Sequence, residues 1–219
     1  MEGKKELLGM YIGHNESASF WLKVLNELVS RGVEDVLIAS IDNLKGFKEA
    51  IYTVFPKTAV QLCIVHKIRS SMKYVSNGDR RPLLSDLKAV YQAPTEDLAL
   101  KNLDELDKKW GKNYAYMIKS WKDDWSELSV YFQYSHEFRK IMYTTNMIES
   151  FHSQLRKITK TKRVFSGDMS LKKLLYLIQV DITKKWTMPV HNWGKILSQI
   201  FIIFQDRLDP ESIMKNMGS

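Results

Sequence analysis

A chain of 219 residues with 44% hydrophobic and 26% charged residues has an ordinary soluble globular composition, enough for one domain with an insertion or two small ones. No apolar run reaches membrane-spanning length, and Met1-Glu-Gly-Lys-Lys5 is no signal peptide. The single cysteine, Cys63, excludes an intrachain disulfide framework, so a reducing cytoplasm is expected. The formal net charge of +8 is unevenly placed, with nine Lys or Arg against two Asp between Ser150 and Val190. That excess points to a polyanion such as nucleic acid, with a solvated basic face as the alternative.

In chain order, Lys5 to Gly13 is short, apolar and bounded by glycine, which predicts a strand. Glu16 to Arg31 repeats Phe20, Trp21, Val24, Leu25 and Leu28 at helical spacing. Val36 to Asp42 is a second strand, apolar enough to be buried on both faces. Leu44 to Phe55 is a short helix closed by Pro56, and Val60 to His66 a third strand followed by a basic helix, Lys67 to Tyr74. Strands alternating with helices predict a mostly parallel sheet, whose functional groups gather at the carboxyl ends of the strands, where Asp42 and His66 fall. From Pro82 to about Gln133 only helical periodicity is present, with Trp110, Trp121 and Trp125 as core anchors. Leu171 to Lys185 and Ile196 to Leu208 predict two more helices, and the residues after Pro210 a frayed tail. Trp186 and Trp193 flank a turn at Pro189; a core role suits them better than stacking on a flipped base.

Between these lies the stretch Tyr143 to Lys157. Ile148, Phe151, Leu155 and Ile158 form an apolar stripe, while Asn146, Glu149, Ser153, Arg156, Lys157 and Lys160 lie off it. Asn146 and Glu149 together also make a helix-start capping pair. Asp42 and Glu149 are two carboxylates on separate elements, the kind of pair that holds divalent ions for phosphoryl transfer. Asp42-Asn43 is equally good turn chemistry before a helix.

Ile41-Asp-Asn-Leu-Lys-Gly-Phe-Lys-Glu-Ala-Ile51, Val60-Gln-Leu-Cys-Ile-Val-His-Lys-Ile-Arg69 and Tyr143-Thr-Thr-Asn-Met-Ile-Glu-Ser150 resemble successive signatures of the mutator-type bacterial insertion-sequence transposases. Tyr91 to Glu96, Lys184 to Pro189 and Asn192-Trp-Gly194 fit the same family, and the similarity runs to about Leu208. The resemblance implies an α/β fold: an RNase H-like, integrase-type core, interrupted by an all-helical insertion. Residues 1–78 would be the first part of the core, 79–140 the insertion, and 141–219 the Glu helix with basic C-terminal helices. It also implies a catalytic triad of two Asp and a Glu, the second Asp mapping onto Asp42 and the Glu onto Glu149. Both would be metal ligands for Mg²⁺ or Mn²⁺. The family's Cys-x-x-His motif maps onto Cys63 and His66, and Asn146 falls in the motif around the Glu. Arg156, Lys157, Lys160, Lys162 and Arg163 would hold DNA phosphates. The implied partners are transposon-end and target DNA and further copies of the chain on that DNA, in a prokaryotic, nucleoid-associated cytoplasmic setting without a membrane.

Two departures shape the expectation. The family's first catalytic Asp lies on a strand upstream of the residues matching Lys4 to Gly13, so a chain beginning at Met1 is expected to be incomplete at the N-terminus of the core. Weak metal binding and little strand transfer by this chain alone are then expected, with a non-catalytic DNA-binding remnant or regulator as the alternative. Asn43 stands where the family usually has Gly. A nuclease of related fold would need a complete carboxylate set, which the sequence does not offer. Cys63 and His66 invite a zinc reading, but a structural site takes four ligands, and His14, His136, His152 and His191 show no pairing spacing. On a strand the two would also point to opposite faces.

Overall fold

Ser17 starts the first helix by accepting the amide of Phe20 on its hydroxyl, at 3.3 Å. This helix, α1 (Ala18–Ser30), buries Val24, Leu25 and Leu28 on one stripe. It closes in a Schellman turn: Gly32, at φ +96°, donates to Val29 O and Val33 donates to Leu28 O. The computed structural model describes residues 2–13, 15–143, 146–160 and 168–208, with the backbone alone at 143, 146–149, 158, 159 and 168. The chain divides into two compact units, residues 12–143 and residues 1–11 with 144–219.

In the first unit, β1 (Ile38–Ile41) leads into α2 (Phe47–Val54) and returns in β2 (Ala59–Leu62). The strands pair in parallel, with Ile38 opposite Ala59 and Ile41 opposite Leu62. α2 begins later than its periodicity predicts, because Gly46 occupies the left-handed region at φ +80° and forms its N-cap. A Cβ at Gly46 would come within 2.5 Å of Ala18 Cβ, so glycine also permits the close crossing of α1 and α2. Trp21 and Phe47 stack across that crossing with ring centroids 3.8 Å apart.

The rest of the unit is helical: α3 (Ile64–Met72), α4 (Asn77–Tyr91), α5 (Glu96–Asp123, kinked at Tyr114), α6 (Trp125–Leu128), a 3-10 turn (Val130–Gln133) and α7 (His136–Tyr143). Leu83, Leu87 and Val90 of α4 pack, fully buried, in a core shared with Ala99, Leu103 and Leu106 of α5. Trp110 and Trp121 are buried as expected, each tied by its indole N–H, to Asp86 Oδ2 and to Ser71 Oγ respectively. Among its described residues this unit is thus mostly helical, with one two-stranded parallel sheet.

The second unit contains α8 (Asn146–Thr159), α9 (Asp168–Thr183) and α10 (Trp193–Ile203). Phe151, Ile178 and Ile182 form its core, with Leu155, Leu174 and Trp186 packed against them. The strand expected over Lys5 to Gly13 does not form. Leu7 and Met10 instead lie on that helical core, so the segment's apolar residues serve packing and not a ladder. Trp193 lies under the backbone of Gly3, where a Cβ would be 2.4 Å from the indole, so both Trp186 and Trp193 are packing residues. Among the described residues no helix is long and apolar enough to cross a membrane.

Candidate metal centre at the strand ends

The parallel register continues one step beyond the strands. Cys63 N donates to Ile41 O at 2.8 Å, which brings Cys63 beside the start of the Asp42-Asn43 turn. The third expected strand therefore ends at Leu62, four residues before its expected limit at His66. Cys63 is the N-cap of α3, in an extended conformation, and its Sγ accepts the amide of His66 at 3.4 Å. The expectation that Cys63 and His66 face opposite ways is thereby corrected: the chain turns into a helix between them, and one helical turn returns the imidazole to the cap.

His66 Nδ1 lies 2.6 Å from Asp42 Oδ1 and 3.1 Å from Cys63 Sγ. With Asp42 ionised, Nδ1 carries the proton and donates to the carboxylate, with the sulfur as a second, weaker acceptor. One ligand atom from each of Asp42, Cys63 and His66 lies within 4.8 Å of the others. Cys63 is buried, while Asp42 and His66 are open to solvent on one side, with side chains 44% and 38% exposed. Asp42 also lies near the amino end of α3, where the helix dipole favours negative charge.

The neighbouring turn is held through Asn43 by partners that the sequence does not single out. Asn43 Nδ2 donates to Asp124 Oδ2 at 3.0 Å, and the same oxygen accepts from buried Lys67 at 2.5 Å. Lys67 donates as well to Ser120 O and Oγ at 2.8 and 2.6 Å, so its buried ammonium is fully served. Gln61, on β2, donates to Leu62 O and Leu128 O and accepts from Tyr131 N, which fixes the strand end against the helical segment. Further out, Lys48 pairs with Glu127 at 2.8 Å. Burial pushes the Glu127 carboxyl up, but the Lys48 ammonium and the Ser126 hydroxyl outweigh it and leave the group below its ordinary 4.5. Lys48 is raised, chiefly by its hydrogen bond to Glu127.

Asp42, Cys63 and His66 are thus brought together within one unit. Asn146 and Glu149 belong to α8 in the other unit, as backbone only. Arg156, Lys157 and Lys160 are exposed there, Arg156 and Lys157 in the last turn of α8; Lys162 and Arg163 lie outside the described residues.

The family model described as transposase, Mutator family, matches residues 1–189. The chain belongs to the Mutator family of transposases. It is 42% identical over 207 residues to the probable transposase for insertion sequence element ISRM3-like of Sinorhizobium fredii, covering 94% of this chain and 52% of that protein. The same figures hold for the transposase for insertion sequence element ISRM3 of Rhizobium meliloti. A probable insertion-sequence transposase of Corynebacterium diphtheriae is 41% identical over 186 residues, covering 84% of this chain and 54% of its own length. The chain spans about half the length of these curated Mutator relatives.

Proposed function

We propose that this chain carries part of the catalytic domain of a DNA transposase that acts by metal-dependent phosphoryl transfer. The observation that carries the reading is Asp42, a half-exposed carboxylate at the carboxyl end of a parallel strand with its Oδ1 held by His66, in a chain of the Mutator family. The β–α–β piece would be the centre of an RNase H-like core, 79–140 its helical insertion, and Glu149 on α8 the second carboxylate. A hard ion fits Asp42: the His66 bond leaves Oδ2 for it, and the open side leaves room for water and a phosphate oxygen. Mg²⁺ or Mn²⁺, when bound, supplies activation of the attacking hydroxyl and stabilisation of the leaving oxygen. His66 orients the carboxylate through Nδ1. Asn146 lies in the motif around Glu149, and Arg156, Lys157, Lys160, Lys162 and Arg163 hold phosphates of transposon-end and target DNA. Further copies of the chain would assemble on that DNA, in the nucleoid.

The test uses the full-length product that contains this chain, incubated with DNA bearing its element's ends and Mg²⁺ or Mn²⁺. Strand cleavage at the ends that falls at least about 100-fold in Asp42→Ala and in Glu149→Ala supports the reading. DNA binding without cleavage under either ion would replace it with a non-catalytic regulator of transposition. Absence of both would remove it.

A further inference from the structure

We propose that Asp42, Cys63 and His66 form a second kind of metal site, for a thiophilic divalent cation such as Zn²⁺, which withdraws Asp42 from the hard-ion chemistry. The regulatory part of this inference rests on the function proposed above; the binding part stands on geometry alone.

The donor set is one carboxylate oxygen, one imidazole nitrogen and one sulfur. Mg²⁺ takes oxygen ligands and has no use for a buried thiol, whereas Zn²⁺ and Co²⁺ accept all three donor types. Bond lengths of about 2.0–2.3 Å at tetrahedral angles place such donors roughly 3.3–3.6 Å apart. The observed separations, 2.6 Å between His66 Nδ1 and Asp42 Oδ1 and 3.1 Å between Nδ1 and Cys63 Sγ, are both shorter than that, and all three donors lie within 4.8 Å of one another, so the donors move apart by about half an ångström to admit an ion. With Cys63 buried and Asp42 and His66 open on one side, three protein ligands leave the fourth position, toward solvent, to water, as in zinc sites with an exchangeable position. Four ligands are required only for a closed structural site, so the ligand count no longer argues against zinc.

The elements hold the donors in place independently. Cys63 is fixed by the hydrogen bond that its backbone N–H donates to Ile41 O, and Asp42 adjoins the Asn43–Asp124–Lys67 network. His66 sits in the first turn of α3. On binding, the Cys63 thiol loses its proton to water, and His66 exchanges tautomer through water: the Nδ1 proton is released, Nε2 takes one up, and the neutral ring turns its Nδ1 lone pair to the ion. The hydrogen bond that orients Asp42 for a hard ion is thereby broken, and Oδ1 becomes a ligand of the thiophilic ion. Bound zinc would thus hold the carboxylate away from catalysis until it is removed.

The purified chain is titrated with Co²⁺, which reports its own ligands. The expected result is one equivalent of cobalt with visible absorption of tetrahedral character and a near-ultraviolet thiolate-to-cobalt band. Stoichiometric Zn²⁺ should abolish both bands, and a hundredfold excess of Mg²⁺ should leave them. Cys63→Ser keeps an N-cap for α3 and should remove the thiolate band while weakening cobalt at least about tenfold. His66→Gln and Asp42→Asn should each weaken it similarly, with far-ultraviolet circular dichroism unchanged. Absence of the thiolate band, its survival in Cys63→Ser, or its displacement by Mg²⁺ would overturn the site. In the full-length product, zinc inhibition of Mg²⁺-dependent cleavage should ease at least about tenfold in Cys63→Ser. Cobalt binding without DNA cleavage would sink the transposase mechanism and leave the site standing. Cleavage equally sensitive to zinc in Cys63→Ser would sink the regulation.

Discussion

At Cys63 a strand becomes a helix, and one side chain serves both: its amide completes the parallel ladder and its sulfur caps α3. Cys63→Ala removes the cap and should lower stability by about 1 kcal/mol in urea unfolding, whereas Cys63→Ser should cost less. Equal losses in the two variants would mean that packing, not capping, sets the residue. Gly46 is the second residue on which local geometry depends. Gly46→Ala must hold φ near +80° and push a methyl group against Ala18, so a loss of about 2 kcal/mol is expected, read as a lower thermal midpoint. At this scale the sequence was only partly legible. Asp42 is visible as the polar end of an apolar strand, and Cys63 and His66 as a spaced pair. Their juxtaposition is hidden because Val60 to His66 is apolar enough to read as one strand, and cysteine is not among the usual capping residues.

Between elements, the decisive partnerships join residues far apart in sequence. Lys67 and Asp124 are 57 positions apart, and neither the basic run after Val65 nor the acidic end of α5 announces that they meet. Gln61 looks like a lone polar residue in an apolar strand, although three of its hydrogen bonds hold the strand end. What was legible is what repeats locally: the stripes of α1, α5 and α9 and the β–α–β alternation. Asp124→Ala strands a buried ammonium and frees Asn43, and should cost about 3 kcal/mol. The same variant should loosen the turn at Asp42, read as faster amide exchange at residues 42–44; unchanged exchange would show the turn to be held otherwise. The Lys48–Glu127 pair sets a pH dependence whose sign follows from its shifts. Glu127 titrates below its ordinary 4.5, so its contribution is complete above that pH and is lost as pH falls through the lower folded value. Lys48 titrates above its ordinary 10.5, so its share is complete below that pH and lost as pH rises through the higher folded value. With Lys48 over a third exposed, solvent screening holds the pair to about 1 kcal/mol or less. Glu127→Gln should flatten the acid limb of the stability profile below pH 4.5 and leave the plateau near neutrality lowered by that amount.

Across the whole molecule, charge and site fall in different units. The Asp42 cluster lies in residues 12–143, while the basic excess between Ser150 and Val190 belongs to the unit built on α8, α9 and α10. Charge is a property of composition and survives translation into structure: Arg156, Lys157, Lys160, Lys172 and Lys173 are all exposed. The strand predicted at the N-terminus does not survive, because a short apolar segment can lie on a helical core as readily as it can join a sheet, and the alternation that separates the two is weak in Leu7-Leu8-Gly9-Met10. If α8 is where phosphates are held, its cations should enter binding through counterion release. Each phosphate contact contributes about −0.9 to the slope of log affinity against log salt on duplex DNA. The double variant Arg156→Ala, Lys157→Ala should therefore reduce the magnitude of that slope by up to about 1.8, and weaken cognate and unrelated duplexes alike. The same double change leaves buried Phe151 and partly buried Leu155 intact, so the thermal midpoint should hold while the affinity falls. An unchanged salt slope would move the phosphate-binding surface away from α8, with Lys172 and Lys173 of α9 the next pair to exchange; a slope reduced for the cognate end alone would mean that these side chains read bases and not the backbone.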